Sequence, residues 1–217
     1  MTTFRPKTQK CYVCGNESTQ RIISNTNRFG SPDLDLRPPE MERSTMPYWV
    51  TVCPSCGYAA RDLSDETGVS AEWLRSESYI SCDGISFESV LAKIFYRRYL
   101  ISTRDGKMKD AFFTLLYAAW SCDDAQDDTN AIRCRELALS LIDTLIETDG
   151  DYRNTFLLIK ADLLRRAGLF DRLAEEFASF TCEKERTQRI IQFQLQKAKE
   201  KDARCYRISD AVPEDRD

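Results

Sequence analysis

The chain has 217 residues, 31 Lys and Arg against 35 Asp and Glu, no histidine, and a net charge of −4. The acidic balance argues against a general binder of nucleic acid or anionic membrane, and the lack of histidine removes the commonest general base and every Cys-His or Ser-His nucleophile pair. The longest apolar run, Ala111–Trp120, is too short for the ~20 residues of a membrane span. A polar N-terminus without a secretory core and nine cysteines point to a reducing, cytoplasmic setting.

In chain order, the first signal is Cys11-Tyr-Val-Cys14-Gly15, and its partner is Cys53-Pro-Ser-Cys56-Gly57. A CxxC turn puts two thiolates on one side of an ion, and the following Gly permits a tight turn with amides aimed at sulfur. Two such knuckles give Cys11, Cys14, Cys53 and Cys56 as ligands of one structural Zn²⁺ with a closed shell of four. Without histidine the shell is all thiolate. Another thiolate-bound metal such as iron, two disulfides, or a redox pair are the alternatives. The 38 residues between the knuckles exceed the roughly 15–20 of the usual ribbon.

Ser18–Ser24 and Pro47–Val52 read as strands. Between them, Asn27–Glu40 contains Gly and several Pro residues, so it is expected to be a loop packed on the zinc core. From about residue 70, apolar residues recur at helical spacing. Helices are expected at Ala71–Tyr79, from a Ser86 cap to Ile101, at Met108–Cys122, Thr129–Glu147, Tyr152–Ala167, Asp171–Phe180 and Glu183–Arg204. Val90, Leu91, Ile94, Phe95 and Leu100 are expected on the apolar side of the second. Gly168 suits a C-terminal stop, and Asp210–Asp217 reads as disordered. Cys82, Cys122, Cys134, Cys182 and Cys205 lie outside any CxxC and are expected as buried thiols.

The stretch Ala161–Phe177 resembles a tetratricopeptide repeat: Ala161 takes the small position, Gly168 the turn, Phe170 the turn aromatic and Phe177 the large position. Leu173 departs from the usual small residue, and a plain helical bundle with a coincidental Gly and Ala is the alternative. The expected fold is mainly α, a small β zinc ribbon followed by tetratricopeptide-like hairpins. The expected division is 1–65 for the ribbon and its insert, 66–205 for the helices and 206–217 for a flexible tail.

Tyr48-Trp-Val-Thr-Val-Cys53-Pro-Ser-Cys56-Gly57-Tyr58-Ala59-Ala60, the upstream Asp33-Leu-Asp35-Leu-Arg37-Pro38, and the segments Leu115–Trp120 and Leu164–Ala174 resemble a bacterial family of uncharacterised proteins, domain of unknown function 2225. The resemblance spans most of residues 10–200 and implies a zinc ribbon followed by tetratricopeptide-like helices, with no activity attached.

Three functions compete. Helical hairpins present a surface for a protein or peptide partner, with Arg97, Arg98, Tyr99, Arg165 and Arg166 as candidate anchors or as ordinary helix-face residues. Nucleic-acid binding is the alternative, on Lys197, Lys199, Lys201 and Arg204, a run that Glu200 and Asp202 interrupt. An enzyme using Asp33, Asp35 and Glu40 beside Arg37 is the second alternative, against the plainer reading that these residues hold the loop.

Overall fold

The computed structural model describes residues 1–213, and the chain is mainly α, as expected. Strand β1 (Thr3–Lys10) pairs antiparallel with β2 (Glu17–Asn25), with Lys10 opposite Glu17 and Phe4 opposite Ile23. Strands β3 (Thr51–Val52) and β4 (Ala59–Ala60) form a second, shorter hairpin. The helices are α1 (Glu77–Ile80), α2 (Val90–Arg104), α3 (Met108–Asp124), α4 (Asp128–Thr148), α5 (Arg153–Arg166), α6 (Phe170–Phe177), α7 (Glu185–Lys199) and α8 (Ile208–Ala211).

Several expectations are corrected. The segment expected as a strand from Pro47 is instead a 3-10 turn over Arg43–Tyr48, followed by the two-residue β3. Pro47 lies inside that turn; a proline has a fixed φ and no N–H to give a ladder. The helix expected over Ala71–Tyr79 splits into a 3-10 turn, Trp73–Arg75, and α1. Ser89, not Ser86, caps α2, its hydroxyl accepting the Ala92 N–H at 3.2 Å. Residues 86–88 are held outside the helix because the Asn130 side chain donates to the Ser86 carbonyl and the Glu88 N–H donates to Asp127. Val90 therefore stands at the first helical position and is 76% exposed, while Phe95 on the same helix is buried.

The chain forms two compact units, each discontinuous in sequence: Met1–Arg28 with Glu40–Cys134, and Phe29–Pro39 with Arg135 onward. In the first, α2 packs along α3 and also on β4, and Phe95, Phe112, Leu115 and Ala118 supply fully buried groups. In the second, α5, α6 and α7 pack against one another. The loop expected to sit on the zinc core is part of this helical unit instead: Leu34 clusters with Ile190 of α7 and Ile208 of α8. The Leu34 N–H donates to the Tyr206 carbonyl at 2.9 Å, and the Ile208 N–H donates to the Pro32 carbonyl at 2.9 Å. Residues 206–211 are thus tied down, contrary to the expected flexible tail; residues 214–217 lie outside the described residues.

Candidate metal centre

Each knuckle is the turn of one hairpin. At the first, the Cys11 N–H donates to the Asn16 carbonyl (2.9 Å) and the Gly15 N–H donates back to the Cys11 carbonyl (2.8 Å). At the second, the Cys53 N–H donates to the Tyr58 carbonyl (2.8 Å) and the Gly57 N–H to the Cys53 carbonyl (3.0 Å). The two turns repeat one hydrogen-bond scheme. Gly15 and Gly57 both hold positive φ, +72° and +77°, a conformation that a side chain would strain.

The turns bring all four predicted ligands together. Cys11 Sγ lies 3.6 Å from Cys56 Sγ, and Cys14 Sγ lies 3.6 Å from Cys53 Sγ. All four sulfurs fall within 4.8 Å of one another and could hold a metal ion. A tetrahedral thiolate shell with bonds of about 2.3 Å has sulfurs about 3.8 Å apart, so the donor set matches that geometry. Both 3.6 Å pairs run between the knuckles, and all four are free thiols; a disulfide needs about 2.05 Å.

Burial and the turn amides act on the thiols of Cys11, Cys14 and Cys56 in opposite directions. Burial pushes the thiols of Cys56 and Cys11 up, the latter opposed by the Cys14 and Val13 amides. Cys14 is brought down to about 7, chiefly by the Asn16 amide donating to its sulfur. Four thiolates this close would repel one another, a repulsion that a divalent cation and the amide donors could offset.

Groups that sequence reasoning missed support the turns. The buried Tyr79 of α1 donates its hydroxyl to the Gly57 carbonyl at 2.6 Å, and Tyr58 donates to the Asp65 carbonyl at 2.9 Å. The buried Gln9 accepts the Leu63 N–H at 3.0 Å, and the Leu63 carbonyl accepts the Tyr12 N–H at 2.8 Å. The run Tyr58-Ala59-Ala60, fully buried, was the available signal, since an apolar stretch directly after a knuckle has to find a core. Gln9 carried none, as its burial depends on Leu63, 54 residues away.

Most of the other candidate residues are buried or paired within the chain. Asp33, Asp35 and Arg37 are buried; Asp35 accepts the Arg37 N–H at 3.2 Å and faces Arg166 at 3.7 Å. Glu40 is exposed and accepts from the Ser44 hydroxyl at 2.5 Å. Of the expected surface anchors, Arg98 is buried and faces Asp110 at 3.6 Å. Arg97 donates to the Ile80 carbonyl at 2.7 Å, Tyr99 is half-buried against Tyr96, and Arg165 is fully buried. In the basic run, Lys197 pairs with Glu200 (2.8 Å) and Arg204 with Asp202 (2.5 Å), while Lys199 and Lys201 are exposed. Of the five remaining cysteines, Cys82, Cys122 and Cys134 are buried as expected; Cys182 is half-buried and Cys205 exposed, because both lie in segments between helices. Among the described residues no helix is long and apolar enough to cross a membrane.

A family model described as an uncharacterized protein conserved in bacteria (DUF2225) matches residues 4–203. No curated protein and no solved structure matches the chain.

Proposed function

Since the chain belongs to the family of uncharacterized proteins conserved in bacteria (DUF2225), we propose from its geometry that it is a protein–protein interaction scaffold fastened by one structural zinc ion on Cys11, Cys14, Cys53 and Cys56. The observation that carries the metal reading is the set of four sulfurs within 4.8 Å, donated by two turns of identical hydrogen bonding. Four protein thiolates fill a tetrahedral shell and leave no position for substrate, so the ion's part is to cross-link the hairpins. Zinc fits the donor set better than harder divalent ions, which prefer oxygen.

The scaffold reading rests on the second unit. Its α5–α6 hairpin turns at Gly168, with Ala161, Leu173 and Phe177 buried inside and Ala174 outward, in the manner of a tetratricopeptide-like pair. Stacked helical pairs of this kind bind peptides along an exposed face. The loop acids Asp33 and Asp35 are buried, which favours their role in holding the loop over acid–base chemistry.

Chelation and partner capture test the two halves separately. Removing metal from the purified chain with a strong chelator should speed amide hydrogen exchange in β1–β4; unchanged exchange after complete metal removal would contradict a structural ion. The full metal-loaded chain should co-elute with a protein partner in stoichiometric amount after affinity capture from its own bacterium. Elution alone under every growth condition, or with nuclease-releasable nucleic acid only, would contradict the scaffold.

A further inference from the structure

The first unit contains a cleft of about 700 Å³, within the range of small-molecule sites. One wall is aliphatic, from Ile22 and Ile23 of β2; another is aromatic, from Trp49 and Tyr117, which meet edge to face with ring centroids 5.0 Å apart. The walls come from both knuckles. β1, with Lys7 and Gln9, leads into the first, and the segment with Arg61 and Asp62 follows β4 beyond the second. An ion pair between Lys7 and Asp62 and the Gln9–Leu63 hydrogen bond stitch these walls together.

The charges lining the cleft are unequal in what they have left to offer. Glu42 is held by the guanidinium of Arg28, Asp62 by Lys7 and by the Ser64 amide and hydroxyl, and Asp65 accepts the Asp62 N–H at 3.1 Å. Lys7 is committed to Asp62. Arg61 makes no hydrogen bond or ion pair among the described residues. It lies near enough to Tyr117 that its charge pulls that phenol down against the rise due to burial. One uncommitted guanidinium therefore stands in a cleft with aliphatic and aromatic walls, and a guanidinium fork is suited to an oxyanion.

We infer that this cleft is a binding site for a small amphipathic anion, a flat apolar body carrying one carboxylate or sulfonate, with Arg61 taking the anion and Trp49, Tyr117, Ile22 and Ile23 taking the body. The Trp49 ring is held in place for this, its indole N–H donating to the Thr45 hydroxyl at 2.9 Å. The assignment does not depend on which metal the knuckles hold.

The test uses the full metal-loaded chain and 8-anilinonaphthalene-1-sulfonate, a flat aromatic sulfonate, followed by calorimetry and by energy transfer from tryptophan. Expected are one site per chain, affinity weakened about tenfold or more in Arg61→Gln, and no change in Arg5→Gln, an exposed strand cation outside the cleft. The uncharged analogue N-phenyl-1-naphthylamine should bind about tenfold more weakly than the sulfonate. Equal affinity of Arg61→Gln and the parent chain, with circular dichroism unchanged, would overturn the role of Arg61. Equal affinity of the two dyes would overturn the anionic class, and no saturable binding to the parent chain would overturn the site.

Discussion

Arg165 takes a full charge into the interior of the second unit, and its surroundings show why it stays there. Its guanidinium donates to Asp162 at 2.7 Å, to the carbonyls of Asp202 and Arg204 at 2.8 and 2.7 Å, and to Gln194. Gln194 also donates to Asp162 at 3.1 Å. The network is closed, so a buried charge is tolerated. Arg165→Ala would leave the Asp162 carboxylate and two carbonyls short of donors, at a cost of about 3–5 kcal/mol read from urea unfolding; a loss within about 0.5 kcal/mol would mean that the network is solvent-screened. In the sequence, Leu-Leu-Arg165-Arg166-Ala-Gly looks like a solvated helix end. Asp162 apart, the partners that bury Arg165 lie 29 to 39 residues downstream, beyond any local pattern. The four cysteines differ because each CxxC spacing is itself a local pattern, that of a turn which can present two thiolates to one side of an ion.

Helix ends repeat one device. After α5, the Gly168 N–H donates to the Arg165 carbonyl and the Leu169 N–H to the Leu164 carbonyl, with Gly168 at φ +75°. The same pair of bonds closes α3 at Gln126 and α7 at Lys201, with φ +57° and +52° and no glycine. A side chain at Gly168 would meet nothing within 4 Å, so the cost of Gly168→Ala is conformational alone, about 1 kcal/mol. Gly150→Ala, also with open space but without positive φ, should be neutral or stabilising by about 0.4–1 kcal/mol. Thermal unfolding of the two variants checks the contrast, and equal destabilisation would refute it. The helices were legible because their apolar spacing survives mismatched caps. β1 was not: Thr3–Lys10 is mostly polar with Pro6 inside, and it becomes a strand because the first knuckle folds it back on β2. The α2 start was displaced by three residues because Asp127 and Asn130, from the start of α4, hold residues 86–88.

At the scale of the molecule, stability draws on buried carboxylates held by hydrogen bonds. Burial raises Asp105, but the Gly68 amide, the Thr67 hydroxyl and Lys107 outweigh it and hold the carboxyl below its ordinary value near 3.8. A depressed folded pKa means that the unfolded chain takes up the proton first as pH falls. The contribution is therefore complete above the ordinary value and is lost as pH drops through the folded one. The parent chain should exceed Asp105→Asn in urea midpoint at about pH 7, and the gap should narrow progressively as pH falls below the ordinary carboxylate value; a constant gap would contradict the assignment. What the sequence could not express at this scale is the discontinuity of the two units, since Phe29–Pro39 joins the helical unit through Leu34, Ile190 and Ile208, contacts that span most of the chain.

The most direct measurement is the metal content of the chain purified under reducing conditions, joined to zinc X-ray absorption. One zinc per chain with four sulfur neighbours at about 2.3 Å, falling well below one in Cys11→Ser and Cys53→Ser, is the predicted result. A chain that holds no zinc, that has oxygen or nitrogen in the shell, or that keeps its full metal content in both variants would contradict a tetrathiolate ion joining the two knuckles.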